Sequence, residues 1–256
     1  MKDLFSVEAK VVLVTGGSRG IGRMIAHGFV ANGAKVYVAS RKQADVDQVV
    51  SELSGLGSCT ALEANLSTEA GCRALAEALA ERESALHVLV NNAGANWGAP
   101  LAEYPDSAWD KVLALNVKGV FHLTRFCLPL LERAAKPGDP ARVINIGSID
   151  GIQVPLLETY AYSASKAAVH HLSRVLSRRL ATQNVTVNAV APGPFESKMM
   201  AATLDHFRDA IVSSCPLGRI GEPEDMAGVA LFLASRAGAY VTGAVIPVDG
   251  GLGMGH

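Results

Sequence analysis

Cysteine is scarce in this chain of 256 residues: there are four, at positions 59, 72, 127 and 215, and no C-x-x-C pair among them. So few thiols, so spaced, exclude a disulfide scaffold and leave reduced cysteines in core or surface positions as the expectation. Net charge is equally thin at -1, which removes any overall pull toward nucleic acid or anionic membrane. Long apolar runs are missing although 49% of the residues are hydrophobic, because charge or glycine interrupts every run, and a membrane-spanning helix is therefore excluded. No basic segment followed by an apolar stretch opens the chain, since Met1 to Lys10 runs almost directly into a strand, and a cytoplasmic location is expected. Metal-ligand patterns are lacking too. The seven histidines include the adjacent pair His170 and His171, but neighbours on a helix diverge by about 100°, and no H-E-x-x-H or mixed cysteine and histidine set accompanies them. No metal is expected, and the pair reads as packing or interface.

What the chain does have is alternation. Short apolar runs at Lys10 to Thr15, Ala34 to Ala39, Ser58 to Leu62, His87 to Val90, Ala141 to Ile146, Val185 to Val190 and Ala244 to Val248 read as buried parallel strands. Helical patterns fill the intervals, at roughly 20–32, 42–55, 67–83, 106–134, 160–182 and 222–235. Strand and helix repeated along the whole chain imply an α/β fold: one Rossmann-like domain over 1–256, a doubly wound parallel sheet of about seven strands flanked by helices. Lys136 to Pro140 reads as a proline- and glycine-bearing surface turn. The stretch from about 194 to 216 has paired methionines and little regular periodicity at its start, and reads as a C-terminal lid over the substrate.

Chemistry concentrates in two places. Tyr162 and Lys166 stand four residues apart in a helical stretch, with Ser148 fourteen residues before the tyrosine. One turn of about 3.6 residues puts positions i and i+4 on one face, so phenol and ammonium can share a cleft. A lysine cation and a helix N-terminus both favour phenolate, and the expectation is a phenol pKa lowered from about 10 toward working pH. Such a group gives a proton to a carbonyl oxygen or takes one from an alcohol. Tyr160 is offset by about 200° and faces the other side. The second place is Thr15-Gly16-Gly17-Ser18-Arg19-Gly20-Ile21-Gly22, where the first strand runs into a helix. Glycines there permit a tight turn and close approach to a pyrophosphate, which the helix N-terminus favours. The spacing is G-x-x-x-G-x-G.

With TGGSRGIG at 15–22, NNAG at 91–94, Asn116 in LALNVKG, Ser148 in INIGS, YSASK at 162–166 and APG at 191–193, the chain resembles the short-chain dehydrogenase/reductase family over essentially its whole length. In pattern it is most similar to bacterial NADPH-dependent β-ketoacyl reductases of the rhamnolipid-associated type, through NNAGANWGAPLAEYP, ARVINIGS, APGPFESKM and GAYVTGAVIPVDGG. The resemblance implies that Tyr162 is the proton donor and acceptor, that Lys166 lowers its pKa and holds the nicotinamide ribose, that Ser148 hydrogen-bonds the substrate oxygen, and that Asn116 holds a water linking Lys166 to solvent. It implies cofactor contacts from Gly16, Ser18, Arg19, Gly20, Ile21, Gly22, Ser40, Arg41, Asn65, Leu66, Asn92, Ala93, Gly94, Pro192, Gly193 and Ser197. The asparagines of NNAG have an alternative use, satisfying backbone groups at the strand end.

No carboxylate follows the second strand, where Ser40 and Arg41 stand instead. Arg19 and Arg41 suit a 2′-phosphate, so NADPH/NADP+ is the expected cofactor. Two positions depart from the family pattern. Asn65 replaces an aspartate that contacts the adenine amino group, its amide oxygen still able to accept, and Ser197 is the nearest match to a threonine that holds the carboxamide. The expected activity is hydride transfer between NADP(H) and a ketone or secondary alcohol, with a 3-oxoacyl thioester or β-keto ester as substrate. A sugar or polyol dehydrogenase and a non-catalytic nucleotide-sensing protein are the alternatives. The resemblance also implies a homotetramer, with Phe121, His122 and Phe126 suited to the subunit surface. It implies as well an acyl carrier protein docked near Arg133 and Arg178, with Arg174 one turn before Arg178.

Overall fold

The computed structural model describes residues 3–253. Seven strands form one sheet: β1 (Val11–Thr15), β2 (Lys35–Ser40), β3 (Cys59–Glu63), β4 (Val88–Asn91), β5 (Ala141–Ile146), β6 (Val185–Pro192) and β7 (Val245–Val248). Every neighbouring pair is parallel, and the order across the sheet is β3-β2-β1-β4-β5-β6-β7. Strand order reverses direction between β1 and β4, which opens the crevice at their carboxyl ends where ligands bind in such sheets.

Both faces of the sheet are covered, and the pleat decides which residue goes where. Val12, Val14, Val36, Val38, Val88, Val90, Ile144 and Ile146 point to one layer, packed on α1 (Gly20–Ala31), α2 (Gln43–Leu53) and α8 (Pro223–Ala234). Leu13, Tyr37, Leu89, Val143 and Val187 point to the other, packed on α3 (Glu69–Ala80), α5 (Val120–Ala134) and the end of α6 (Tyr160–Leu180). Two further helices complete the chain, α4 (Asp106–Leu113) and α7 (Ala201–Ser214). Helix starts follow local chemistry: Thr68 Oγ1 caps α3 by accepting from Gly71 N at 3.1 Å, and Asp225 caps α8 by accepting from Glu222 N at 2.8 Å.

Two segments differ from the pattern read in the sequence. The stretch 106–134 is not one α-helix: Ala114–Gly119 widens into a π turn between α4 and α5, with Asn116 buried in it. Inside the expected lid lies a full helix, α7, of which only Leu204 is buried, so its exposed faces hid the period. The turn at 136–140 also does more than connect. Asp139 accepts from Lys10 Nζ at 2.9 Å and from Arg142 Nη1 at 2.6 Å, while the fully buried Arg142 side chain donates onward to the Ser235 carbonyl at 2.7 Å. This clamp joins the start of β1, the start of β5 and the end of α8 at the sheet's amino end, away from the crevice.

All four cysteines are free, with Cys72, Cys127 and Cys215 buried. Burial pushes the Cys127 thiol up to about 12, so it is an inert core residue. Among the described residues no helix is long and apolar enough to cross a membrane.

Candidate active site

The glycine-rich turn leaves β1 at the crevice. Gly16 and Gly20 adopt φ values of +63° and +52°, which glycine reaches without strain. Gly20 has a second constraint, since a Cβ there would come within 3.0 Å of Ser197 Cβ, just before α7. Gly22 lies against Asn92, whose Nδ2 donates to the carbonyls of Thr15 at 2.9 Å and Gly16 at 3.1 Å. Thr15 Oγ1 in turn donates to Val90 O at 3.2 Å and accepts from Asn92 N and Ala93 N at 2.9 and 3.1 Å. The ends of β1 and β4 are thus locked together. Asn91 donates to Thr124 Oγ1 at 3.1 Å and to Asn145 Oδ1 at 2.9 Å. Asn92 thus satisfies backbone groups at the strand end, while Asn91 joins the buried side chains of β5 and α5.

Helix α1 begins without a side-chain cap and without an acid in its first turn. Its free N–H groups and positive end face the turn of Ser18, Gly20 and Ile21. Arg19 and Arg41 are exposed, and neither has an ion-pair partner among the described residues. The Ser40 hydroxyl, next to Arg41, lies 3.4 Å from the Lys42 backbone N and O. An uncapped helix start with two unpaired guanidinium groups is the donor set that a dinucleotide carrying an extra phosphate requires, and the residues present fit it. Asn65 Oδ1 accepts from Ser67 N at 3.2 Å and Ser67 Oγ at 2.7 Å, so an adenine amino group bound there would take the place of the Ser67 hydroxyl. Leu66 is buried beside it.

Ser148 lies just past β5, and α6 carries Tyr162 and Lys166 on one face. Lys166 is buried, with its ammonium 5.4 Å from the centroid of the Tyr162 ring, and donates to Ile146 O at 2.8 Å. Burial lowers its pKa to about 8, opposed by the Asp150 carboxylate. For Tyr162 the direction is opposite to the one anticipated. Burial pushes the phenol up to about 12; the Ser148 hydroxyl beside it pulls down, and the Asp150 charge pushes up. Burial of the phenol itself is the largest influence on it, which is why the proximity of an ammonium does not decide the sign. A phenol held neutral in this way is an acid, suited to protonating a developing alkoxide.

Asn116 is tied on both sides of its amide: Oδ1 accepts from Ala95 N at 2.8 Å, and Nδ2 donates to Ala95 O and Ser165 Oγ, both at 2.9 Å. Ser165 Oγ donates to the Tyr162 carbonyl at 2.7 Å. The π turn thereby braces the helix that carries the phenol, and π turns recur at functional sites. A Cβ on Gly94 would stand 3.5 Å from Asn116 Oδ1 and 3.8 Å from Lys166 Nζ, so the NNAG loop closes over both. Pro192 ends β6, and Gly193 packs on the Asp249 backbone, where a Cβ would meet Asp249 Cα at 2.8 Å. Ser197 Oγ accepts from Met200 N at 3.2 Å and turns the chain into α7.

Two residues that brace the site, Tyr104 and Asp150, carry no sequence signal that singles them out. Tyr104 Oη accepts from Ala161 N at 3.2 Å and holds the first turn of α6. Asp150 sits two residues beyond Ser148, and its backbone N donates to Ser148 Oγ at 3.1 Å. His170 is buried while His171 is exposed, and burial lowers the His170 pKa to about 4. Among the carrier-docking candidates, Arg174 and Arg178 are exposed without ion-pair partners among the described residues, but Arg133 donates Nε to Ser84 O at 2.5 Å and is committed to the scaffold. No cluster of metal-binding side chains occurs among the described residues.

Comparison with known proteins places this geometry among relatives. The family described as Enoyl-(Acyl carrier protein) reductase matches residues 16–253. The chain is 49% identical to the rhamnolipids biosynthesis 3-oxoacyl-[acyl-carrier-protein] reductase of Pseudomonas aeruginosa, over 98% of this chain and 99% of that one. It is 36% identical to the 3-oxoacyl-[acyl-carrier-protein] reductase of Thermotoga maritima, over 96% and 98% of the two chains. Among solved structures, the Pseudomonas aeruginosa RhlG/NADP active-site complex superposes with a TM-score of 0.95 at 48% identity, covering 99% of this chain and 100% of the other.

Proposed function

This chain belongs to the short-chain dehydrogenase/reductase family, and from that footing we propose that it is an NADPH-dependent reductase of a 3-oxoacyl thioester or β-keto ester. One observation carries the reading: the Ser148 hydroxyl adjoins the Tyr162 phenol, with the buried Lys166 ammonium behind it. Two hydroxyls converging on one oxygen suit a carbonyl that becomes an alcohol. NADPH, when bound, supplies the hydride.

The chain's own residues do the rest. Ser148 accepts from Asp150 N, which leaves its one proton to be donated, first toward the Tyr162 oxygen beside it and then to the substrate oxygen as charge develops there. Tyr162 delivers the proton to that oxygen in reduction and takes it back in oxidation. Lys166 holds the ribose and keeps positive charge at the phenol. Asn116 fixes the loop at Ala95 and, through Ser165, the helix turn of Tyr162. Arg19 and Arg41 grip the 2′-phosphate; Ser18, Gly20, Ile21 and Gly22 offer backbone to the pyrophosphate, and Ser197 offers its hydroxyl to the carboxamide.

The enzyme works in the cytoplasm as a homotetramer in this reading. Support for a subunit surface comes from α5, where Phe121 is 40% exposed and His122 stacks on Phe126 at 6.3 Å. An acyl carrier protein, being acidic, would meet the unpaired Arg174 and Arg178 on α6.

The test is loss of nicotinamide absorbance with purified protein. A 3-oxoacyl thioester should be reduced with NADPH, and the matching enoyl thioester should not. Turnover of the enoyl compound alone would replace the ketone reading with alkene reduction; oxidation of polyols alone, with NADP+, would replace it with a polyol dehydrogenase.

A further inference from the structure

We infer that His170 is a positioning residue for Ser148, its imidazole being the solid form around which the serine-bearing turn is folded. The inference rests on the proposed role of Ser148 as a donor to the substrate oxygen. Ser148 stands between two glycines, and both lie against the same ring. A Cβ on Gly147 would collide with His170 Nε2 and stand 2.6 Å from Cδ2, and a Cβ on Gly151 would come within 2.9 Å of Cε1. Gly151 also clears the α6 backbone, where Lys166 C and Ala167 N would be 2.7 Å from its Cβ. Neither glycine adopts a positive φ. Glycine serves there for close approach and not for backbone freedom, and the imidazole is what approaches.

His170 reaches that turn through its place on α6. Tyr162, Lys166 and His170 recur every fourth residue and so share one face. The phenol adjoins the Ser148 hydroxyl, the ammonium donates to Ile146 O at 2.8 Å, and the imidazole meets Gly147 and Gly151. Successive turns of the helix thus track the chain from 146 to 151. The same turn is tied to β6, where Gly147 N donates to Val190 O at 2.7 Å, and closed on itself by Gly151 N donating to Ser148 O at 3.0 Å. His170 is 4% exposed, and its Nε2 is buried with no hydrogen-bond partner among the described residues. A ring that touches both flanks of the serine, with no polar bond from the nitrogen facing Gly147, acts by filling space. Without it Gly147 and Gly151 can settle inward, and Ser148 Oγ leaves its place 3.1 Å from Asp150 N.

His170→Ala removes the ring, and His170→Gln, which keeps part of its volume, takes its place if the alanine variant does not fold. In a crystal structure of the variant, Ser148 Oγ should be displaced by about 0.5 Å or more. For a 3-oxoacyl thioester kcat should fall about tenfold or more, while the Kd for NADPH stays within about twofold. The loss should largely vanish when the same substitution is made in Ser148→Ala, since a residue acting through the serine then has nothing to act on. A Ser148 that keeps its place, an unchanged kcat, a matching loss of NADPH affinity, or an equal fold loss with and without the serine hydroxyl would overturn the assignment. A wild-type protein that turns over no carbonyl compound would overturn the proposed function instead, and the place of Ser148 in the variant's crystal structure would still decide His170.

Discussion

Lys166 donates its ammonium to the carbonyl of Ile146 at 2.8 Å, so the lysine of the candidate site is held by the strand that ends two residues before Ser148. The site is a product of β5 meeting α6, and substitutions on that contact separate chemistry from binding.

Tyr162→Phe should lower kcat by at least about a hundredfold, roughly 2.7 kcal/mol of transition-state stabilisation, with NADPH affinity by fluorescence titration nearly unchanged. Tyr160→Phe should cost far less, because its hydroxyl donates to Glu158 at 2.6 Å on the other side of the helix. Retention of more than about a tenth of wild-type kcat in Tyr162→Phe, a loss under about 1.4 kcal/mol, would assign the acid elsewhere.

Arg41→Ala should raise the KM for NADPH about tenfold or more and leave that for NADH nearly untouched, since one charge-assisted contact to the phosphate is worth on the order of 1.5–3 kcal/mol. Arg19→Ala should act in the same direction. Equal effects on the two cofactors, measured in steady-state assays, would mean the arginines serve structure.

Acid should destabilise the fold through His170 and His87, both lowered by burial, His170 to about 4. A histidine with a depressed folded pKa takes up its proton more readily when unfolded. Its contribution is complete above the unfolded value of about 6.5 and is lost as pH falls from there toward the folded value. His87 has a specific bond to lose, because its Nδ1 accepts from Val11 N at 3.0 Å. Tm followed by calorimetry should fall as pH drops from about 6.5 toward 4, and His170→Gln should flatten the slope. An unchanged slope would reject this account.

Asp139→Asn should cost about 3 kcal/mol in urea unfolding with kcat little changed, because it leaves the buried Arg142 without its counter-ion far from the crevice. The figure is at the low end for breaking a buried pair because Asp139 itself is partly exposed. The Asp139 pKa is lowered by its two cations, so this contribution is present above the usual carboxylate range and disappears as pH falls through the depressed value.

Reduction of a 3-oxoacyl chain on acyl carrier protein should fall steeply with added salt and on Arg178→Glu, while a small β-keto ester should barely respond. Equal sensitivity of both substrates in parallel assays would leave no docking role for α6.

The sheet was legible because buried parallel strands read as unbroken valine-rich runs, and each of the seven expected strands lies within about two residues of the observed one. Tyr162, Lys166 and Ser148 were legible as a pattern, and the structure brings them together. The π turn was not, since ALNVKG has the composition of a continuing α-helix and the extra residue is accommodated through the tie of Asn116 to Ala95. Helix α7 stayed hidden because it buries only Leu204. The direction of the phenol's pKa is not legible because spacing reports that a lysine is near and says nothing of how deeply the phenol is buried. Asp150 has no pattern to find: one acid two residues after a serine is unremarkable until the strand end is seen folded around Lys166.

The segment containing α7 is fastened at both ends. Ser197 rests over Gly20 at one end, and at the other Cys215 sits so close to Gly250 that a Cβ there would come within 2.5 Å of its sulfur. A strip pinned twice has the freedom of a bucket handle, restricted to the line between its anchors, and lacks that of a door on one hinge. Grafting residues 198–214 from a relative is therefore an exchange of handle alone, with the pivots kept in place as long as glycine is kept at 20 and 250.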